Sequence, residues 1–174
     1  MIPLLKRILT TGVVTERPDL LADAPKRELD RINDDLLAIL GRALTIREVD
    51  AGSCNGCELE IHALNNPYYN LEGRGIKFVA SPRHADMLLI TGPVTKNMEN
   101  AVRVAYECTP DPKLVVAVGD CGGGCGEVGA LLGPNYATCG AVDKVIPVDV
   151  RVPGCPPTPL DLMRGILAAV RGKG

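Results

Sequence analysis

Four cysteines in three separate parts of the chain have the spacing of metal ligands. Cys54 and Cys57 form a C-x2-C pair, Cys121 follows after 63 residues, and Cys155 follows after 33 more. Four thiolates suit either a zinc ion or an iron–sulfur cluster. Zinc sites made of four cysteines usually contain two C-x2-C pairs, and these four residues contain one. The spacing therefore favours a cluster, with zinc and unligated thiols as the alternatives.

Glycines surround these cysteines. Gly52 and Gly56 flank the first pair, Gly122–Gly124 follow Cys121, and Gly154 precedes Cys155. Because glycine has no Cβ, it lets backbone N–H groups approach a sulfur atom closely. N–H donors directed at sulfur stabilise the negative charge of a cluster and tune its potential. A helix that begins near Cys57 adds the positive end of its dipole.

The elements around the cysteines predict how the three loops meet. Each loop follows an apolar segment with strand character, and further strands and helices alternate along the chain. The predicted strands are Thr45–Val49, Ile76–Ala80, Met87–Thr91, Leu114–Val118 and Val145–Val150, and the predicted helices are Cys54–Leu64, Asn97–Glu107 and Thr158–Arg171. This alternation predicts an α/β fold with a mainly parallel sheet and helices on both faces. Loops at the carboxyl ends of parallel strands share one edge, so the four thiols are expected there.

Composition limits the classes of function. The 174 residues are 46% hydrophobic but include one Phe, four Tyr and no Trp, so the predicted core is aliphatic. Few aromatic side chains and a formal net charge of −2 argue against a nucleic-acid-binding module. Seven cysteines exclude a fully paired disulfide framework. No apolar run approaches the roughly 20 residues that cross a bilayer.

The first 44 residues differ from the rest. Lys6 and Arg7 lie in an apolar start, and residues 24–44 have the periodicity of an amphipathic helix. Its apolar stripe comprises Leu29, Ile32, Leu36, Leu40 and Leu44. Because residues 45–174 already predict a complete α/β domain, we expect residues 1–44 to form an arm whose stripe is buried against membrane-embedded partners or another subunit.

Several segments resemble one known family. They are Gly52–Ile61, Ser81–Asp86, Thr91–Thr95, Gly119–Cys121, Val145–Val150 and Pro153–Pro159. Together they resemble the small subunits of group 4, energy-converting nickel–iron hydrogenases, in a superfamily that includes the smallest cluster subunit of the complex I core. The resemblance covers about residues 45–171. Complex I relatives typically carry adjacent cysteines at the first position, so the C-x2-C pair is similar to the hydrogenase branch.

The resemblance implies a fold, a cofactor and partners. It implies a flavodoxin-like core that holds one [4Fe–4S] cluster on Cys54, Cys57, Cys121 and Cys155, with no catalytic residue in this chain. The implied partners are a large subunit with the nickel–iron centre, other iron–sulfur subunits and membrane antiporter-like subunits. The implied location is peripheral, at the cytoplasmic face of the cell membrane. The implied activity is electron transfer for reduction of protons to H2, or its reverse.

Two other functions compete with this one. A homologous complex without nickel would reduce a quinone or a sulfur compound. A thioredoxin-like enzyme would use Cys54 and Cys57 as a dithiol, which leaves Cys121 and Cys155 unexplained.

Other residues near the motifs have ordinary explanations. Cys125 competes with Cys121 for the role of ligand, and the family pattern favours Cys121. Cys108 and Cys139 are expected to be small apolar side chains. Glu58 is expected to interact with the first turn of its helix, although a role in proton movement is an alternative.

Overall fold

The computed structural model describes residues 43–172 together with Thr10, Arg27, Glu28, Asp30–Ile32, Asp34, Asp35 and Ala38. Within residues 43–172 the strands are β1 (Leu44–Asp50), β2 (Ile76–Phe78), β3 (Met87–Thr91), β4 (Val94–Thr95), β5 (Leu114–Val118), β6 (Thr138–Gly140) and β7 (Val150–Val152). The α-helices are α1 (Gly56–Ala63), α2 (Glu99–Cys108), α3 (Gly119–Gly123), α4 (Gly126–Leu131) and α5 (Pro159–Arg171).

Five parallel strands form the main sheet. Their order is β2-β1-β3-β5-β7, and every neighbouring pair is parallel. Counted along the chain this is the order 2-1-3-4-5 of flavodoxin-like folds. In such sheets the chain turns to opposite sides after the first strand and after the third, which opens a crevice at their carboxyl ends. The predicted α/β class is confirmed.

Successive side chains of each strand point to opposite faces of the sheet, so the core has two layers. Met87 and Leu89 point to one face of the sheet, whereas Leu88 and Ile90 point to the other. Helices α1 and α5 cover the first face, and α2 covers the second. All five residues of β3 and of β5 are buried, as expected for central parallel strands.

Two of the predicted strands differ from the structure. The last strand is β7, Val150–Val152, and not Val145–Val150. Pro147 lacks an N–H for ladder pairing, and the N–H groups of Val145 and Ile146 donate to Val142 O at 3.0 and 3.1 Å. The second strand is shorter than predicted and ends at Phe78.

Two short helices and a small antiparallel ribbon were not predicted. Helices α3 and α4 contain the sequence GDCGG and a second glycine-rich segment, and glycine disfavours helix interiors. Strands β4 and β6 pair antiparallel beside the main sheet. The Thr95 N–H donates to Ala51 O at 2.9 Å, so the ribbon supports the loop that precedes Cys54.

Part of the predicted arm packs on this chain. The eight described residues between 27 and 38 are all helical. Ile32 is 4% exposed and belongs to the core layer under α1 and α5, so the expectation that it is buried against another subunit is wrong. Leu44 begins β1 and is not part of the helix. Leu29, Leu36 and Leu40 lie outside the described residues.

Ion pairs accompany this packing. Arg74 and Arg164 pair with Asp30 at 2.6 Å and with Glu28 at 2.8 Å, and Arg171 pairs with Asp35. Because their side chains are partly exposed, these ion pairs contribute less to stability than the burial of Ile32 does.

The boundary between an N-terminal arm, residues 1–44, and an α/β domain, residues 45–174, stays a prediction. No helix in the described part of the chain is long and apolar enough to cross a membrane.

Replacing Ile32 with Ala tests whether this segment is part of the folded domain. We expect the free energy of unfolding to fall by about 2–4 kcal/mol, because a buried side chain is lost from the core. Urea denaturation of the purified subunit measures the change. Arg31→Ala is the control, because Arg31 is exposed and its loss is expected to change stability by less than about 0.5 kcal/mol. Equal stability of the two variants would contradict the packing of Ile32.

Candidate metal centre

Three strands of the main sheet end in the loops that carry the candidate ligands. Cys54 and Cys57 follow β1, Cys121 follows β5, and Cys155 follows β7. Since the strands are parallel, all three loops lie at the carboxyl edge of the sheet. The structure therefore brings together the loops that the sequence predicted to meet.

A chain of hydrogen bonds shapes the first loop. Asp50 Oδ1 accepts from the N–H groups of Gly52 and Ser53, both at 2.8 Å. Ser53 Oγ then accepts from the Asn55 N–H at 3.1 Å. Gly52 has φ 121°, and a Cβ there would lie 2.3 Å from Thr95 Cγ2, so a glycine is required. This turn leads directly into α1, which begins at Gly56.

The space between the thiols depends on Gly119. A Cβ on Gly119 would lie 2.8 Å from Cys57 Sγ and 3.8 Å from Cys121 Sγ. Gly119 has φ 82°, which also favours glycine. The absence of a side chain at this position leaves room beside two of the four sulfur atoms.

The four thiols differ in their exposure to solvent. Cys57 is 6% exposed, Cys121 is half-buried, and Cys54 and Cys155 are exposed. The site therefore has a buried side formed by the start of α1 and a side that is open to solvent.

Burial and mutual repulsion disfavour thiolates at the centre of the group. Burial raises the pKa of Cys57 to about 12, and the increase includes contributions from four neighbouring acidic groups: Cys121, Glu58, Cys54 and Cys155. Burial also raises the pKa of Cys121, although backbone N–H groups that donate to its sulfur oppose the shift. A bound cation or cluster would supply the positive charge that these thiolates need.

The other cysteines form different contacts. Cys125 Sγ donates to Gly123 O at 3.5 Å, and Cys139 Sγ donates to Glu99 Oε2 at 3.4 Å. Cys108 ends α2. Among the described residues, none of these three is a main cause of the pKa shift of Cys57 or of Cys121.

Glu58 is buried beside the thiols, which the sequence did not indicate. It was expected to interact with the start of α1, but among the described residues neither of its carboxylate oxygens has a hydrogen-bond partner. Glu58 is 6% exposed, so this carboxylate is buried. Burial, followed by the charge of Glu58, raises the pKa of nearby Glu48. Buried unpaired carboxylates cost stability and often mark functional sites.

Arg83 and His84 lie away from this site. They form a short 3-10 turn, Pro82–His84, before β3, and they line a cavity with Thr45 and Asp111. This cavity is at the amino ends of the strands, which is the edge opposite the cysteines. Arg83 therefore does not lie beside the thiols.

Alkylation of the metal-free chain tests the pKa of Cys57. A thiol with a pKa of about 12 is deprotonated in about one molecule in 10,000 at pH 8, so its reaction with iodoacetamide is slow. We expect Cys57 to react at least about a hundredfold more slowly than exposed Cys54 and Cys155, as measured by mass spectrometry of the peptides. Equal rates for Cys54 and Cys57 would contradict this environment and favour dithiol chemistry.

Replacing Glu58 with Met tests the cost of its burial. Met has a similar length and removes two unpartnered oxygens, so we expect the free energy of unfolding to rise by about 1–3 kcal/mol. Urea denaturation measures the change, and Glu60→Met, at a partly exposed position in the same helix, is expected to change it by less than about 0.5 kcal/mol. A loss of stability in Glu58→Met would mean that the carboxylate has a stabilising partner.

Comparison with known proteins identifies a family pattern and close relatives. The family described as "NADH ubiquinone oxidoreductase, 20 Kd subunit" matches residues 54–169. The chain is 43% identical over 148 residues to the probable membrane-bound hydrogenase subunit mbhJ of Pyrococcus furiosus, covering 85% of this chain and 86% of that protein. It is 44% identical over 135 residues to formate hydrogenlyase subunit 7 of Escherichia coli K12, covering 78% of this chain and 51% of that longer protein.

Solved structures give a consistent result. A chain of the archaeal membrane-bound sulfane sulfur reductase is similar with a TM-score of 0.62 and 34% identity, covering 85% of this chain and 75% of that one. A chain of an NAD+-reducing [NiFe]-hydrogenase is similar with a TM-score of 0.51 and 19% identity, covering 68% of this chain and 85% of that one. At this low identity the second match supports the fold alone.

Proposed function

This chain belongs to the NADH ubiquinone oxidoreductase 20 kDa subunit family, and we propose that it is the electron-transfer subunit of a membrane-associated hydrogenase complex. In this proposal it carries one [4Fe–4S] cluster next to the nickel–iron centre of a separate large subunit. The observation that carries the proposal is that the three loops with Cys54 and Cys57, Cys121, and Cys155 all follow parallel strands and share the carboxyl edge of the sheet.

The arrangement of side chains favours a cluster over a single zinc ion. Zinc needs all four sulfurs about 2.3 Å from one ion, whereas the cysteines of a cluster bind separate iron atoms and stand further apart. The four cysteines include only one C-x2-C pair, and Cys121 and Cys155 come from distant loops, which also favours a cluster.

The residues of this chain would bind and insulate such a cluster. Cys54, Cys57, Cys121 and Cys155 would hold it as thiolates. When bound, the cluster supplies one-electron transfer. The backbone N–H groups that donate to Cys121, and the start of α1 at Cys57, stabilise negative charge on sulfur. Burial of Cys57 excludes water from one side, while exposed Cys54 and Cys155 leave the other side open.

The similarity to two kinds of complex leaves a second candidate function. Two sequence relatives at 43% and 44% identity are a probable hydrogenase subunit and a formate hydrogenlyase subunit, whereas the sulfane sulfur reductase chain is a structural neighbour at 34% identity. We therefore favour the hydrogenase and keep a sulfur reductase without nickel as the alternative. The large subunit distinguishes them, because two C-x2-C pairs there would indicate a nickel–iron centre. The further proposed partners are other iron–sulfur subunits and membrane antiporter-like subunits, with this chain peripheral at the cytoplasmic face.

Serine substitutions in the purified complex test the ligand set. We expect Cys54→Ser, Cys57→Ser, Cys121→Ser and Cys155→Ser each to abolish or convert one [4Fe–4S] signal, because a hydroxyl replaces a thiolate ligand. Low-temperature electron paramagnetic resonance (EPR) of the reduced complex, with iron and sulfide content, measures the loss.

Cys108→Ser, Cys139→Ser and Cys125→Ser are the matched controls and should leave the signal in place. A severe effect of Cys125→Ser with a mild effect of Cys121→Ser would mean that Cys125 is the ligand. A normal spectrum after Cys155→Ser would refute the proposed set.

A further inference from the structure

Asp120 connects two of the loops that carry candidate ligands. Its backbone N–H donates to Gly154 O at 2.8 Å, and the Gly154 N–H donates to Asp120 Oδ1 at 2.7 Å. Asp120 is adjacent to Cys121, and Gly154 is adjacent to Cys155. One residue therefore forms two reciprocal hydrogen bonds between these loops.

These hydrogen bonds extend the pairing of β5 with β7 beyond the ends of the two strands. The parallel pairing of β5 with β7 ends at Val118 and Val152. The Asp120–Gly154 pair lies two residues further along both segments, where the strands have ended. The side chain of Asp120 therefore holds the second loop at a point where backbone pairing between the two strands has ended.

The surroundings of Asp120 fix its own position. Its carbonyl oxygen accepts from the Cys125 N–H at 2.8 Å. A Cβ on Gly126 would lie 3.3 Å from Asp120 Oδ2, and a Cβ on Gly129 would lie 2.6 Å from Asp120 O. The start of α4 therefore packs closely against Asp120 and limits its movement.

The loop of Cys155 needs this connection because it is exposed. Cys54 is also exposed, but Asp50 holds its loop by accepting two backbone N–H groups within the same turn. In the loop of Cys155, the backbone N–H before the cysteine donates to the side chain of Asp120, which lies on a different segment. Gly154 has φ 131°, and a Cβ there would lie 2.6 Å from Pro157 Cα. The backbone of this loop is therefore closely packed and restricted to a conformation that favours glycine.

We propose that Asp120 is a positioning residue that fixes Cys155 relative to Cys121 and so retains the iron atom that Cys155 binds. This inference rests on the proposed function, because it assumes that the four thiols hold a [4Fe–4S] cluster. In this proposal, Asp120 acts by holding the Gly154 N–H at a fixed position, and its negative charge is not required.

Oxidative loss of iron from the purified complex tests the proposal. Ferricyanide takes one electron from [4Fe–4S]2+ and is itself reduced to ferrocyanide, and release of one Fe2+ ion then leaves [3Fe–4S]+. We expect this conversion to be about tenfold faster in Asp120→Ala, which loses the hydrogen bond that the Gly154 N–H donates to the side chain. EPR measures the growth of the [3Fe–4S] signal, and Cys155→Ser provides the reference spectrum for loss of that ligand.

Two further variants separate position from charge. Asp120→Asn keeps a carbonyl oxygen at the same distance along the side chain and should convert at the rate of the unmodified complex. Asp120→Glu keeps the charge but moves the carboxylate by one methylene, and it should convert faster. Asp143→Ala is the matched control, because Asp143 pairs with Arg151 of β7 at 2.8 Å, and it should not change the rate.

Each other outcome overturns the proposal. A normal rate in Asp120→Ala, or in Asp120→Glu where Asp120→Ala fails to assemble, would mean that Asp120 does not retain the iron. An equally fast rate in Asp120→Asn would mean that charge, and not position, matters. If the serine variants of all four cysteines keep every cluster signal of the complex, the proposed function fails first, which distinguishes that failure from a failure of Asp120 alone.

Discussion

Parallel pairing of β1, β3, β5 and β7 is the constraint on which the candidate site depends. Parallel strands end at a common edge, so loops that are more than 60 residues apart in sequence become neighbours. Strands β3 and β5 are fully buried, so packing on both faces of the sheet stabilises this arrangement. The sheet therefore determines which loops meet, and the conformation of each loop determines where its thiol lies.

The candidate site costs stability in the isolated chain. Gly52, Gly92, Gly119 and Gly154, all at positive φ, lie at the same edge as the buried carboxylate of Glu58, which has no hydrogen-bond partner among the described residues. Local features that oppose stability are typical of functional sites, where the rest of the fold compensates for them. Here the compensation is the two-layered aliphatic core, together with the helical segment that contributes Ile32.

The sequence predicted the parts of the fold that depend on local pattern. Met87–Thr91 and Leu114–Val118 are predicted to the residue, because continuous apolar runs between turns leave few alternatives. Residues 145–149 were misassigned, because their apolar character reflects packing of a non-strand segment under α2 and Pro147 interrupts any ladder. Spacing predicted which cysteine loops meet. The burial of Glu58 and the bond from Asp120 to Gly154 had no signal in the sequence, because both arise where segments distant along the chain come into contact.

The unequal exposure of the four thiols has a consequence for electron transfer. Cys57 is closed off by α1 and Gly119, whereas Cys54 and Cys155 face solvent in this chain alone. Under the proposed function, electrons must enter and leave through partner subunits, and the exposed side is where a partner can approach the cluster closely. Leu59, which is 61% exposed two residues after Cys57, leaves apolar surface uncovered at the start of the same helix. This chain therefore covers only one side of the proposed cluster. A partner that covers Cys54 and Cys155 would lower the local dielectric constant and so strengthen the hydrogen bonds that N–H groups donate to sulfur.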